Sequence, residues 1–465
     1  MYSQSIYNIY FENYNHDAVL FNTLSGNLLR IPADRTDRVL PAVNQPDACR
    51  NRELLQYLKQ RGFLVRDPTE ETEKARQLFE SFIDSNRQYI LTIMPTEGCN
   101  FRCPYCFESH QCGKINKKIE KNILAFVERI LSETNVLSLN WYGGEPLLEI
   151  DSIVRLSSGI KALCKEKRKT FLASITTNGY LLTYENYLKL KAGNVLSYAV
   201  TLDGLPEYHN KTRPLANGDP SFETIFSNLK QIQQLEKSHL VRFAIRTNYT
   251  AESIKGKAAW EEYLNRNLLF DKRFQYVPRF AWNNRNSQYA DDQYIPFELN
   301  DNINLLHEIP AEVTPEAHRK LEGLLSDGSG FAFAEQHLRS LVKGDQICPA
   351  GCRNSIVLGP DGTAYKCQVA LDSPENKVGI LKENGEIAFN DHLSRWVKQK
   401  PVLPDGTDCL RCVLFPLCRS TGCPAKTNLP ENVDRIWCAP LLKEVKKYLH
   451  ILTYRKSPSD MEDRI

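Results

Sequence analysis

The 465-residue chain is 42% hydrophobic and 25% charged, with a formal net charge of +3. That balance describes a globular protein with a real core and gives no reason to expect nucleic acid or a charged membrane surface as partner. No window approaches the continuous apolar run that spans a bilayer, and Met1-Tyr-Ser-Gln-Ser-Ile lacks the basic and apolar regions of an export signal, so a cytoplasmic protein with no membrane partner is expected.

Residues 5–11, 18–21 and 27–31 are rich in β-branched and aromatic side chains and predict short strands, with Asn22-Thr-Leu-Ser-Gly26 as the turn between the last two. An amphipathic helix follows at 50–60, with Leu54, Leu55 and Leu58 on one face and Gly62 as its stop. Residues 67–87 are charged and read as a linker helix. Strands are then predicted at 89–94, 137–142, 171–177, 197–203, 241–248 and 274–280. The clearest helical patterns between them are 117–132, 184–191 and 222–235. Strand alternating with helix predicts an α/β fold with a parallel sheet. Residues 281–345 are irregular, 346–440 are cysteine-rich and short of long helices, and 441–449 predict a last helix before a polar tail.

Fourteen cysteines need an explanation. Disulfides are disfavoured without an export signal. Cys99, Cys103 and Cys106 form a C-x3-C-x2-C run directly after the first parallel strand. Three thiolates on such a loop can hold three corners of a [4Fe–4S] cube and leave one iron open. Zinc is the competing reading, but zinc sites favour C-x2-C pairs and need a fourth ligand. At the end of the next strand stands Trp141-Tyr-Gly143-Gly144-Glu145-Pro146. Two glycines allow close backbone approach, and a glutamate beside them can hold an ammonium group. Eight further cysteines lie between 348 and 438. Cys49, Cys112 and Cys164 read as small buried hydrophobes.

The first cysteine spacing, followed by GGEP, resembles the radical S-adenosylmethionine (radical SAM) superfamily, and the likeness extends over most of the chain. It implies a partial (β/α)6 TIM-like barrel over 88–300, with chemistry at the C-terminal strand ends. It implies that GGEP binds the amino group of S-adenosylmethionine (SAM), whose cleavage releases a 5′-deoxyadenosyl radical that abstracts hydrogen from an unactivated carbon. Thr176-Thr-Asn178-Gly179 is similar to the family segment near the ribose. Val200-Thr201-Leu-Asp203-Gly204 with His209 and Arg213 resembles the segment that contacts the carboxylate, and Arg246-Thr-Asn248 the one near the adenosine.

Cys352, Gly362, Cys367, Cys409, Cys412, Cys418, Cys423 and Cys438 resemble the SPASM domain, which holds two auxiliary [4Fe–4S] clusters. The family pattern assigns one to Cys348, Cys352, Cys367 and Cys423, the other to Cys409, Cys412, Cys418 and Cys438. Arg419-Ser-Thr-Gly422 is one residue longer than usual, and a pair of zinc ribbons is the competing reading. Sulfatase-maturating members carry Asp directly after the cysteine matching Cys367, whereas this chain has Gln368, an amide that cannot serve as a base.

Residues 1–66 resemble the winged-helix peptide-binding module of ribosomal-peptide pathways, against the plainer reading of a cap. The expected order is therefore that module, a linker at 67–87, the barrel at 88–300, a connector at 301–345, a SPASM domain at 346–440, and a helix and tail at 441–465. The resemblance implies a peptide maturase that modifies a ribosomally made precursor peptide by a thioether or carbon–carbon crosslink. It also implies three [4Fe–4S] clusters, SAM and an external one-electron reductant of flavodoxin or ferredoxin type. Sulfatase-type protein oxidation is the alternative activity, and a non-catalytic electron-transfer protein the alternative class. No catalytic acid or base is assigned.

Overall fold

The computed structural model describes residues 2–13, 15–83, 88–108, 110, 113–281, 329–343, 348–397, 408–418 and 438–454. Two compact units emerge: one from the described residues of 1–84, 304–352 and 398–465, the other from those of 85–303 and 353–397.

In the first unit, strands Asn8–Glu12, Ala18–Asn22 and Leu28–Ile31 form a three-stranded antiparallel sheet in chain order. Helices Thr36–Asn44 and Arg52–Gln60 follow. The second starts where Asn51 accepts the Leu54 N–H at 3.0 Å and is followed by Gly62 at φ +81°, a left-handed position suited to glycine. The first, absent from the sequence reading, carries Pro41 inside it. The Glu71 carboxylate accepts from Ser5 Oγ at 2.6 Å and from the Ile6 N–H at 3.0 Å, so helix Pro68–Ile83 is tied to the strands. Residues 68–83 are thus part of this unit and not a linker between units.

Its core joins chain ends distant in sequence. Ile9 and Phe21 pack with Ala334 and Leu338 of helix Ser329–Lys343 and with Val445, Tyr448, Leu449 and Leu452 of helix Cys438–Thr453. Tyr7 donates to the Leu410 carbonyl at 2.5 Å. The expected boundary at residue 66 therefore does not separate a module: the same core takes side chains from three stretches of chain.

The second unit is built on one ten-stranded sheet. Its parallel strands are β1 (Gln88–Ile93), β2 (Val136–Trp141), β3 (Thr170–Thr177), β4 (Val195–Thr201), β5 (Arg242–Tyr249) and β6 (Phe274–Phe280). These are the six predicted strands, and they pair in chain order. Their buried residues alternate, as Leu137, Leu139 and Trp141 do on β2, because successive side chains on a strand point to opposite faces. Covering helices include Lys117–Ile130, Ile150–Glu166, Tyr184–Ala192 and Phe222–Leu235. Asn116 caps the first by accepting the Ile119 N–H, and Thr183 caps the third by accepting from Asn186.

The open edge at β1 is continued by β7 (Ser355–Leu358), parallel to β1, and then by the antiparallel strands β8 (Thr363–Tyr365), β9 (Lys377–Leu381) and β10 (Ile387–Phe389). Residues 346–440 are consequently divided. The stretch 353–397 extends the barrel sheet, while Cys348 and Cys352 on one side and Cys409, Cys412 and Cys418 on the other belong to the first unit. Cys112, Cys423, most of the expected connector and the polar run at 283–288 lie outside the described residues, as does the Cys438 side chain.

Candidate functional site

The three-cysteine loop leaves the C-terminal end of β1 and is held by backbone bonds from two directions. Arg102 donates to the Pro214 carbonyl at 3.0 Å and Ala216 to the Asn100 carbonyl at 2.8 Å, which fixes the loop against the segment after β4. Within it, the Cys106 N–H reaches the Cys103 carbonyl at 3.0 Å, and the Phe101 N–H points at Cys99 Sγ at 3.4 Å. Burial pushes the thiols of Cys99 and Cys106 up to about 12 and raises Cys103 as well, while Arg213 opposes the rise at all three.

On the β2 side the GGEP turn lies on the residues just before Cys99. Gly143 has φ +123°, and a Cβ there would sit 2.3 Å from the Thr96 carbonyl. A Cβ on Gly144 would sit 2.4 Å from the Gly98 carbonyl. Both positions require glycine because two backbones touch. The sequence reading reserved that space for a ligand; the near neighbour is the cysteine loop itself.

Glu145 is completely buried. One carboxylate oxygen accepts from the Leu147 N–H at 2.9 Å and Thr177 Oγ1 at 2.7 Å, the other from the Asn178 N–H at 2.7 Å. Burial raises its pKa, against these hydrogen bonds and Arg213. Glu145 thus ties the end of β2 to the end of β3, and Pro146 opens the short helical turn Pro146–Glu149. Asn178 continues the tie by donating to Asn100 Oδ1 at 2.7 Å.

A second buried network joins the same loop to β4 and β5. Asp203, just after β4, accepts the Asn248 N–H at 2.8 Å and Thr212 Oγ1 at 3.2 Å, and also accepts the Tyr105 hydroxyl proton. That hydroxyl accepts from Arg213 Nη1 at 2.9 Å and Asn248 Nδ2 at 3.3 Å. The Asp203 N–H donates to His209 Nδ1 at 3.0 Å, so the His209 proton sits on Nε2 and faces Ser221 Oγ at 3.0 Å. Burial and Arg213 both depress His209, which keeps it neutral. Arg213 also lies over the Phe101 ring at 5.4 Å, and its buried Nε has no hydrogen-bond partner. Buried donors are normally paired, so this N–H marks a place for an acceptor.

Of the expected site residues, the structure thereby gathers Cys99, Cys103, Cys106, Gly143, Gly144, Glu145, Asn178, Asp203, Arg213 and Asn248. Thr201 is buried at the end of β4. Arg246 is exposed and turns its Nε to Asn248 Oδ1 at 2.9 Å. Tyr105 and Thr212 are absent from the sequence-based set; the position of Tyr105 between Cys103 and Cys106 is the available signal.

The described cysteines of the C-terminal region sit on or beside tight turns. Cys348 and Cys352 bracket the turn Pro349–Gly351, and Cys412 donates to the Cys409 carbonyl at 2.9 Å. In the second unit, Cys367 donates to Asn376 Oδ1 at 2.8 Å, and the Val369 N–H points at its sulfur at 3.4 Å, the local arrangement also seen at Cys99. The described cysteines are free of disulfides.

The donor chemistry fits a cluster and an anionic ligand. Three thiols share a loop beside a guanidinium with an open donor. Among the described residues no group of three or more His, Cys, Asp or Glu is set to hold a single metal ion, and a four-iron cube holds its thiolates further apart than one ion does. Fold and site together define an iron–sulfur enzyme on a partial α/β barrel.

Residues 93–255 match the family model of the Radical SAM superfamily. The cysteine-type anaerobic sulfatase-maturating enzyme of Clostridium novyi (strain NT) is 26% identical over 388 residues, covering 77% of this chain and 94% of the relative. The serine-type anaerobic sulfatase-maturating enzyme of Klebsiella aerogenes is 22% identical over 351 residues, covering 72% of this chain and 79% of the relative. A solved structure described as native anSMEcpe with bound AdoMet and Kp18Cys peptide has the same fold, with a TM-score of 0.55 and 18% identity, covering 78% of this chain and 98% of that one. The chain carries a radical SAM domain and is an enzyme that acts by radical chemistry. That domain implies a [4Fe–4S] cluster and SAM. No helix among the described residues is long and apolar enough to cross a membrane.

Proposed function

We propose that the chain is a peptide maturase that installs a thioether or carbon–carbon crosslink in a ribosomally made peptide. One observation carries the enzymatic half: Tyr105, Asp203, Arg213 and Asn248 lock the three-cysteine loop to the ends of β4 and β5 and leave the Arg213 Nε–H open. Cys99, Cys103 and Cys106 would hold the cluster, and Arg213 would take the carboxylate of SAM. Glu145, with its oxygens already engaged, sets the position of the GGEP turn. When bound, the cluster and SAM supply one-electron chemistry that ends in removal of a hydrogen atom from an unactivated carbon. A polypeptide substrate is supported by relatives named for maturing sulfatases. Gln368, an amide after Cys367, favours a crosslink over sulfatase-type oxidation.

The remaining parts of this reading are two auxiliary clusters on Cys348, Cys352, Cys367, Cys423 and on Cys409, Cys412, Cys418, Cys438, an external one-electron reductant, and peptide capture by the N-terminal sheet. Strand Leu28–Ile31 is at the edge of that sheet, and an edge strand offers unpaired backbone groups to an added strand.

Sulfatase-type oxidation is the second reading, favoured by identity spread over most of the chain. Anaerobic turnover with SAM, dithionite and candidate peptides separates them. A crosslink removes two hydrogens and blocks fragmentation between two residues. A change confined to one cysteine or serine supports the second reading, and no 5′-deoxyadenosine at all would sink both. For peptide capture, amide hydrogen exchange should slow at 28–31 when peptide is added; unchanged exchange removes that part.

A further inference from the structure

Ser221 stands directly before helix Phe222–Leu235, where a serine side chain ordinarily caps the helix by accepting one of its first N–H groups. Its side chain makes no such bond. Asn210 supplies the cap instead: its Oδ1 accepts the Ser221 N–H at 3.0 Å and the Phe222 N–H at 3.1 Å. The hydroxyl of Ser221, a buried residue, is turned to the Arg213 carbonyl, to which it donates at 2.7 Å. His209 Nε2 faces the same hydroxyl at 3.0 Å and donates to it, which leaves the serine proton for Arg213.

The other backbone group of Arg213 is held as well. Its N–H donates to the His209 carbonyl at 2.7 Å, at the point where helix Pro206–Thr212 ends. The peptide groups on both sides of Arg213 are thus anchored by buried partners. The guanidinium is anchored only in part: Nη1 reaches the Tyr105 hydroxyl at 2.9 Å, and the buried Nε–H stays open. A long side chain that must present an open N–H in one direction gains from a backbone that does not shift, because charge-assisted hydrogen bonds depend on direction. A serine that only started the helix would not need another residue to cap it.

We propose that Ser221, oriented by His209, is a positioning residue that aims the Arg213 guanidinium at the carboxylate of SAM. The inference rests on the assignment of that carboxylate to Arg213. Its test is SAM affinity, by anaerobic equilibrium dialysis of the full reconstituted chain, with iron content and thermal unfolding measured alongside. Ser221→Ala should weaken SAM binding about fivefold and leave iron content unchanged. Ser221→Thr keeps the hydroxyl and should keep the affinity. Asn210→Ala removes the helix cap but not the Ser221 hydroxyl, so it should lower the unfolding temperature and leave SAM affinity unchanged. Arg213→Gln should weaken binding by itself, and adding Ser221→Ala to it should weaken binding no further. If Ser221→Ala does not fold, Ser221→Gly decides, since glycine suits a helix start. Unchanged SAM affinity in the variant that decides overturns the inference and leaves the Arg213 assignment standing. A further loss in the Arg213→Gln background also overturns it, because Ser221 would then act by another route. Loss of iron in both hydroxyl-free variants puts the effect on the cysteine loop and overturns it too. Full SAM affinity in Arg213→Gln removes the carboxylate assignment, and this inference with it.

Discussion

The two units bury different kinds of side chain. In the first, the core shared by the small sheet and two distant helices is apolar: Ile9, Phe21, Leu338, Leu449 and Leu452. In the second, the strand interiors are equally apolar, but the C-terminal ends bury Glu145, Asp203, His209, Arg213 and Glu108 within one region. Charge in low dielectric is expensive unless paired or hydrogen-bonded. The second unit bears that cost at the end of the sheet where parallel α/β proteins place chemistry. The first has no comparable cluster among its described residues.

The contrast is broken first by removing the cysteine loop's ligands. Replacing Cys99, Cys103 and Cys106 together by Ala should remove about four irons per chain and abolish SAM cleavage; iron and 5′-deoxyadenosine assays check this. Next is Arg213→Ala, which removes the buried guanidinium that donates to Tyr105 and leaves Asp203 buried. It should cost about 3–5 kcal/mol in the second unit, seen by hydrogen exchange in β4 and β5, with amides of 18–22 unaffected. The mirror experiment is Leu338→Ala. A cavity in the first unit's apolar core should cost about 2–5 kcal/mol there, while uncoupled SAM cleavage persists. If either variant loosens both units equally, the division is wrong.

Smaller effects sharpen the comparison. Glu145→Gln keeps shape but loses charge and one acceptor, and should weaken SAM binding by about tenfold with iron content unchanged. Loss of iron would mean that the tie holds the cysteine loop as well as the SAM pocket. In the first unit His450 is buried against Phe11 at 4.6 Å, and burial with Lys446 lowers it from 6.5 to about 4. Below pH 6.5 the unfolded chain takes up a proton that the folded unit refuses. Stability should therefore be full above that pH and fall by on the order of 1 kcal/mol per unit as pH drops toward about 4. His450→Phe should flatten that slope, as urea titrations over the range would show.

Much of this was legible in the sequence because it is local. Strand alternation gave all six parallel strands in their spatial order, since consecutive βα units lay strands side by side. Cysteine spacing located the first loop, because ligands three and four residues apart can meet on one turn. What no spacing reveals is which strand ends meet. The pairing of β7 with β1 joins residues such as Ser355 and Ile90, and it moved 353–397 out of the expected C-terminal domain. The core linking Ile9 to Leu449 turned a presumed N-terminal module into part of a larger unit. The glycine pair at 143 and 144 signals a close approach for a ligand, and only the tertiary structure shows that the Thr96 and Gly98 carbonyls lie within that distance. Tyr105 and Glu108 flank Cys106 in plain view. Tyr105 is hydrogen-bonded to Asp203, Arg213 and Asn248, whereas Glu108 keeps a buried oxygen without a donor. That difference depends on side chains brought in from β4 and β5, and long-range packing alone decides it.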